Sequence, residues 1–126
     1  MTELDQTPEF PREYVDFAED VMKQFSRAVT TTKLRGFLAM LMEVYTTEVT
    51  RTDPALCQKS LAGLQMLRIR IAYECGRDRE LKRFAEKAHL LPWLKAIGDS
   101  RERCLDYIHY MEALVAYHRF YGGRES

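Results

Sequence analysis

Residues 100–121 constrain the fold most, because they form a helical pattern that is apolar on nearly every side. Two faces repeat at three- and four-residue steps, one with Cys104, Ile108, Met111, Val115 and His118, the other with Tyr107, Tyr110, Leu114, Tyr117 and Tyr121. Such a helix is either buried centrally or spans a membrane. Charged residues such as Arg101, Asp106 and Glu112 exclude a membrane span. We therefore expect this helix to be enclosed by the rest of the chain or by a second copy.

Three further helical patterns precede it in the first half of the chain. The first covers residues 12–28. Three consecutive threonines, residues 30–32, then end it and begin a second helix, because β-branched hydroxyl residues are poor in a helix interior but good as caps. The third helix is predicted to begin at Pro54, with Asp53 as its N-cap, and to end near Glu74.

Single residues predict the other helix ends. Gly63 lies within the third helix at a cost of about 1 kcal/mol relative to alanine, which suggests a close neighbour. Gly76 is placed like a left-handed cap residue, and Asp78 like the cap of a fourth helix. Pro92 is predicted to limit that helix and to open a separate helical turn or two, and Asp99 to cap the last helix.

The chain has no alternating strand pattern. We predict an all-α fold, a small bundle of about five main helices plus a short helical turn, with no sheet. Residues 1–10 are predicted to be a flexible acidic N-terminal arm, and residues 11–126 a single helical-bundle domain.

Charge is unevenly distributed along the chain. Residues 1–20 contain seven acids and one base, so the remainder carries a formal charge of +6, because the whole chain is neutral. A body this mildly basic is not a strong nucleic-acid binder on its own. The acidic start predicts no signal peptide, and we expect a folded cytoplasmic protein. The widely spaced Cys57, Cys75 and Cys104 predict buried thiols rather than a disulfide framework or a zinc site.

No residue pattern typical of a catalytic centre, a cofactor site or a metal site is found. His89, His109 and His118 lack ligand spacing, and the favoured interpretation is a half-buried ring with one hydrogen bond. The tyrosines of the last helix could stack on bases. Their spacing beside leucines favours core packing, in which case their hydroxyls need hydrogen-bond partners or a route to water.

Basic residues are the remaining candidates for function. Spacing alone favours a solvated surface for the seven bases that face four acids over residues 68–87: Arg68, Arg70, Arg77, Arg79, Lys82, Arg83 and Lys87. Arg68, however, lies beside Leu67 near the core line, where an unpaired guanidinium is unfavourable. Lys33 and Arg35 lie at a helix start, where cations oppose the helix dipole and exposed amides favour anions. Together these basic residues could form a groove for a phosphate backbone, but they offer no group that would distinguish one nucleobase from another.

Four segments, in order, resemble one family. They are YVD at residues 14–16, TTTKLR at residues 30–35, LRIRIAYECGR at residues 67–77 followed by EKA at 86–88, and YMEALVAYHRFYGG at residues 110–123. In this order they resemble the small subunit of type III-A CRISPR effectors, the Csm complex. The last segment is the most specific, and the resemblance covers about residues 14–124.

The resemblance implies a non-catalytic helical subunit without a cofactor. Several copies would stack beside a repeated backbone subunit that holds the guide RNA, in a complex with a large polymerase-like subunit, and would line the channel where target RNA pairs. By resemblance and charge, the candidate phosphate contacts are Lys33, Arg35, Arg68, Arg77 and Lys82, with Arg51, Lys59, Arg70 and Arg83 as second choices. Arg35 could instead be a structural ion-pair partner.

Two other functions remain open from the sequence. A homodimeric all-α adaptor without nucleic-acid contact would also explain an almost wholly apolar last helix, since that helix could be exchanged or buried between two copies. An independent ribonuclease is a third hypothesis, for which the sequence offers no catalytic arrangement.

Overall fold

The computed structural model describes residues 9–124, a range that contains six helices and no strand beyond two isolated bridges. The helices are α1 (Tyr14–Phe25), α2 (Thr31–Glu48), α3 (Gln58–Arg77), α4 (Arg79–Lys87), α5 (Leu90–Ala96) and α6 (Arg101–Phe120). The predicted all-α bundle is confirmed, and the short α5 corresponds to the predicted helical turn. α1 is shorter than predicted at both ends.

The last helix, α6, lies at the centre of the bundle. α1 and α2 pack along it, and α5 packs against it as well. Tyr107, Tyr110, Met111 and Leu114 are buried on its inner faces. Phe120, in contrast, is 73% exposed. The helix is therefore enclosed by its own chain on most sides, and no second copy is needed to bury it.

The buried tyrosine hydroxyls of α6 hold the connection between α4 and α5. Tyr107 donates to the carbonyl of Leu90 at 2.7 Å, and Tyr110 donates to the carbonyl of Ala88 at 2.8 Å. Between these two acceptors, His89 adopts a left-handed conformation with φ 55°. The prediction of core packing with bonded hydroxyls is confirmed for these two tyrosines, whereas Tyr117 and Tyr121 are only partly buried.

The start of α3 differs from the prediction. The helix begins at Gln58, so Pro54 is not its first residue and Asp53 is not its N-cap. The Asp53 carboxylate instead accepts from the Ala55 N–H at 2.8 Å. The extended segment before α3 pairs with the loop before α6, where the Arg101 N–H donates to the Pro54 carbonyl at 2.9 Å. Because of this backbone pairing, α3 begins about one turn later in the sequence than predicted.

Glu48, at the end of α2, joins three helices. Its buried carboxylate accepts hydrogen bonds from the Ser60 hydroxyl at 2.6 Å, the Cys57 N–H at 3.1 Å and the Arg51 guanidinium at 3.0 Å. The guanidinium of Arg101, at the start of α6, donates to the Glu48 carbonyl at 2.6 Å and 2.9 Å. The ends of α2, α3 and α6 are thereby fixed to one another.

The predicted caps have mixed outcomes. Thr30 caps α2, and Asp78 caps α4 by accepting from two backbone N–H groups, both at 3.1 Å. Gly76 is not a left-handed cap, because α3 continues through it and ends where Asp78 turns extended. Ser100, rather than Asp99, caps α6.

Three sequence expectations concern single residues. Pro92 lies in the first turn of α5 and does not limit α4, which ends before the left-handed His89. The close neighbour expected at Gly63 is Val44, whose Cγ2 would lie 3.0 Å from an added Cβ. The thiols are free as predicted, and burial raises the pKa of Cys104 to about 12.

The predicted N-terminal arm lies largely outside the described residues. Phe10 is described, and its ring packs against Trp93 at 5.1 Å and Tyr110 at 5.7 Å between centroids. Within the described range, the helices are too short or too polar to cross a membrane.

Candidate nucleic-acid interface

The outward face of α3 carries three large apolar side chains. Met66 is 56% exposed, and Ile69 and Tyr73 are each 61% exposed. They follow one another at helical spacing on the side opposite the buried Leu67 and Ile71. The sequence analysis did not consider this face, although helical spacing from the buried Leu67 and Ile71 places these three residues outside the core.

Cations lie beside this apolar face. Lys59, Arg70 and Arg77 are separated by 11 and 7 residues, close to three and two helical turns, so they lie along one side of α3. The guanidinium carbon of Arg77 lies 5.5 Å from the centroid of the Tyr73 ring, over its face. We call the set of Met66, Ile69, Tyr73, Lys59, Arg70 and Arg77 the α3 outer face.

One carboxylate, that of Glu74, lies among these cations. Its oxygens are 3.5 Å from Lys33 Nζ, 3.7 Å from Arg77 and 3.9 Å from Arg70. Its Oε1 is buried and has no hydrogen-bond partner. Glu74 Oε1 therefore attracts cations by charge without forming a hydrogen bond. An anion that accepts well-aligned hydrogen bonds from these cations could compete with Glu74 for them.

Lys33 also contacts Asp78, at 3.3 Å. Hydrogen bonds from backbone N–H groups, chiefly that of Leu81, lower the pKa of Asp78, and Lys33 lowers it further. Although a cation at a helix start opposes the helix dipole, Lys33 has a structural role, since it joins α2 to the α3–α4 junction. Together with Arg70 and Arg77, it makes three cations against the two carboxylates of Glu74 and Asp78.

Arg68 of α3 and Lys82 of α4 lie on the other flank of α3. Arg68 precedes Arg77 by nine residues, which is two and a half turns, so the two point in opposite directions. Lys82 borders an apolar hollow of about 390 Å³ between α3, α4 and α5, together with Ala72, Cys75, Ala85, Glu86, Leu91 and others. The structure thus divides the residues of the expected single groove between two sides.

Arg68 is not near the core, as its position beside Leu67 suggested. Successive residues of a helix are rotated by about 100° around its axis, so Arg68 projects away from the line of buried residues that contains Leu67, and it is exposed. The ion pairs of residues 9–124 do not include Arg68, Lys82, Lys59, Arg35 or Arg83, all of which are exposed. Among the residues predicted to contact phosphate, these five side chains are therefore the most available to an external anion.

Arg51 is committed to the fold. Its guanidinium donates to Glu48 at 3.0 Å and to the Ala55 carbonyl at 3.1 Å, and lies 3.9 Å from Asp53. Burial alone would raise the pKa of Glu48, but hydrogen bonds from Ser60, Cys57 and Arg51 hold it at about 2. Arg51 therefore neutralises the fully buried carboxylate of Glu48.

The titratable residues of the described chain form no metal cluster. Within residues 9–124, no group of three or more His, Cys, Asp or Glu side chains is arranged to hold a metal ion. A hollow of about 770 Å³ lies between the N-terminal segment, α5 and α6, and includes Phe10, Trp93, Arg103 and Asp106 in its lining. The arrangement that stands out is therefore the α3 outer face.

Fold and surface together define a small all-α protein with one cation-lined, partly apolar helix face. The family model described as Csm2 Type III-A matches residues 9–124. The chain belongs to this family, the small subunit of the type III-A CRISPR Csm complex. The resemblance seen in the sequence is thereby confirmed.

Individual relatives agree with the family assignment. The CRISPR system Cms protein Csm2 of Streptococcus thermophilus is 34% identical over 118 residues, covering 89% of this chain and 93% of that protein. The protein of the same name from Mycobacterium tuberculosis (strain CDC 1551 / Oshkosh) is 37% identical over 92 residues, covering 73% and 74%. That of Enterococcus italicus is 35% identical over 95 residues, covering 74% and 68%.

Proposed function

We propose that this chain is a non-catalytic subunit of a cytoplasmic type III-A effector, stacked in several copies along the channel that holds guide and target RNA. Its partners are the target RNA, the guide RNA, the repeated backbone subunit, the large polymerase-like subunit and neighbouring copies of itself. In this role it contacts the target RNA backbone through basic residues and contributes no catalytic group.

The observation that supports this proposal best is the charge balance of the α3 outer face. Three of its side chains are cationic, and the nearest carboxylate, Glu74, forms no good hydrogen bond with them. Phosphate oxygens accept two parallel bonds from a guanidinium, so an RNA backbone would satisfy Arg70 and Arg77 better than Glu74 does. The first part of the proposed site therefore consists of Arg70, Arg77, Lys59 and Lys33.

Arg68 and Lys82 form a second part, on the other flank of α3. Both are exposed. Arg35 and Arg83 are further exposed cations, whereas Arg51 serves Glu48 and is left out of the proposed site.

Backbone contacts suit a subunit that is present in several copies. Each phosphate neutralised on a single strand adds roughly 0.7 to the salt slope of binding, so one copy binds RNA weakly. Copies held in a row gain affinity from effective concentration. Sequence is then read by base pairing with the guide, and the protein needs only contacts that tolerate any sequence.

Two charge-reversed variants test which flank binds RNA. One carries Arg70→Glu with Arg77→Glu, and the other carries Arg68→Glu with Lys82→Glu. The matched control carries Arg12→Glu with Lys23→Glu on the α1 side, since α1 does not contact α3.

The measurement is target-RNA affinity of the assembled complex at several salt concentrations. The flank that contacts RNA should lose affinity, and its salt slope should fall by about 1.4 if two phosphate contacts are lost. The control variant should bind target RNA with the affinity and the salt slope of the wild type. Wild-type affinity for both test variants in intact complexes would show that α3 does not contact RNA.

A homodimeric adaptor is the second candidate, although the structure supports it for a different reason from the one proposed in the sequence analysis. α6 is enclosed by its own chain, so an exchanged last helix is not required. The exposed Met66, Ile69 and Tyr73 could instead pack against a second copy. Light scattering at several protein concentrations, with and without single-stranded RNA, separates the two: a stable dimer that RNA leaves unchanged favours the adaptor.

A further inference from the structure

The α3 outer face combines apolar and cationic side chains in a way that backbone contacts alone do not explain. Phosphate binding uses Lys59, Arg70 and Arg77 but leaves Met66 and Tyr73 in water, where their exposure has no benefit for folding. Exposed apolar residues that adjoin one another usually mark a binding surface. The ligand of this face should therefore offer apolar surface as well as negative charge.

Tyr73 is the aromatic group of this face. Its ring makes no contact with another aromatic ring of residues 9–124. The Arg77 guanidinium lies over one side of it, which places a positive charge against the ring. Arg70 is one turn away on the same side of α3.

We propose that Tyr73 stacks on a base of single-stranded RNA while Arg70 and Arg77 bind the adjoining phosphates. This inference rests on the proposed RNA contact of α3 and adds a base contact to it. Ile69 and Met66, one and two turns before Tyr73, extend the apolar surface along the strand. Lys59 and Arg77 lie about 27 Å apart along the helix axis, a span that accommodates several nucleotides.

Charge favours RNA over a protein helix as the occupant. Within α3, Glu74 is the one carboxylate on the side of Lys59, Arg70 and Arg77, and it lies largely inward, while Glu43 of α2 borders Lys59 and Met66. A nucleotide supplies an aromatic base and a phosphate within one unit, and every base has a π-face, so stacking tolerates any sequence. The contact thus remains compatible with a subunit that binds whatever target the guide selects.

The test uses the full chain and two fluorescent single-stranded oligomers of equal length, one an RNA of mixed sequence and the other its abasic ribose-phosphate counterpart. The variants are Tyr73→Ala and Tyr73→Phe, with Tyr14→Ala as a control for loss of a tyrosine on α1. Affinities are measured by anisotropy at low salt, and folding is checked by thermal melting.

Stacking predicts that the wild type binds the RNA more tightly than the abasic oligomer. Tyr73→Ala should weaken RNA binding roughly 5- to 30-fold and abolish that difference. Tyr73→Phe should retain the difference, because the ring is what stacks, and neither Tyr73 variant should change binding of the abasic oligomer.

The other outcomes overturn the inference in distinguishable ways. Equal wild-type affinity for the two oligomers, unchanged in Tyr73→Ala, would leave backbone binding in place and remove the stacking contact. Binding of neither oligomer would count against RNA contact by the chain itself, and so against the proposed function too. If Tyr73→Ala binds RNA normally but fails to assemble with the other subunits, the face is a protein-docking surface.

Discussion

The imidazole of His118 donates a hydrogen bond through Nε2 to the carbonyl oxygen of Val29. A carbonyl can only accept, so Nε2 carries the proton. The bond joins the end of α6 to the connection between α1 and α2, where both residues are buried. Gly123 then packs on the same imidazole, and the Arg124 carbonyl accepts from the Thr31 N–H at 2.7 Å. The chain after α6 therefore closes over the start of α2.

We expect Gly123→Ala to lower the free energy of unfolding by about 1–3 kcal/mol. A Cβ at this position would overlap the buried ring of His118, which has no room to move. Urea unfolding measures the change. Gly36→Ala is the matched control: nothing lies within 4 Å of its added Cβ, so it should stabilise α2 by up to about 1 kcal/mol. Equal effects of the two substitutions would contradict the packing of Gly123 on His118.

Glu48 should make the protein sensitive to acid. Its pKa in the folded protein is about 2, against an ordinary value of 4.5, because Ser60, Cys57 and Arg51 donate to the carboxylate despite its burial. A lowered pKa stabilises the fold above pH 4.5, and that stability is lost as the pH falls from 4.5 towards 2. The effect is of the order of 3 kcal/mol.

Urea unfolding at a series of pH values checks this expectation. Glu48→Gln should be destabilised near pH 7 and should lose part of the acid dependence, because its amide cannot ionise. Glu43→Gln, an exposed change on the same helix, should follow the wild-type profile. An unchanged profile in Glu48→Gln would show that the acid sensitivity arises elsewhere.

Local signals were sufficient for part of the fold. Thr30 and Asp78 cap α2 and α4 as predicted, because a cap depends on the few residues that follow it. The start of α3 could not be predicted in this way. There, Pro54 pairs with Arg101 and Glu48 accepts from the Cys57 N–H, and these contacts depend on distant parts of the chain.

The candidate site shows the same limit. The position of Lys59, Arg70 and Arg77 on one side of α3 follows from their spacing alone. The ion pair between Lys33 and Asp78 could not be predicted from spacing, because the two residues are 45 positions apart in the sequence. The exposure of Tyr73 was also missed, although its spacing from the buried Leu67 and Ile71 indicates it, whereas the packing of α3 against α2, α4 and α5 appears only in the structure.

The close contact between Gly63 and Val44 predicts energetic coupling between α3 and α2. Gly63→Ala should gain helix propensity but press its Cβ against Val44, so its net effect should be within about 1 kcal/mol. In a Val44→Ala background the contact is relieved, and the same substitution should stabilise by about 1 kcal/mol. A double-mutant cycle of unfolding free energies measures this, and additive effects would contradict the contact.

Glu74 should limit the affinity of this protein for RNA. It lies within 4 Å of three cations that the proposed function assigns to phosphates: Lys33, Arg70 and Arg77. Glu74→Gln keeps the shape of the side chain but removes the competing charge, so we expect roughly 2- to 5-fold tighter RNA binding at low salt, with a smaller gain at high salt. Glu80→Gln, an equal charge change at an exposed position of α4, should have a much smaller effect. Weaker RNA binding by Glu74→Gln, together with a lower melting temperature, would instead show that Glu74 serves to hold these cations in position.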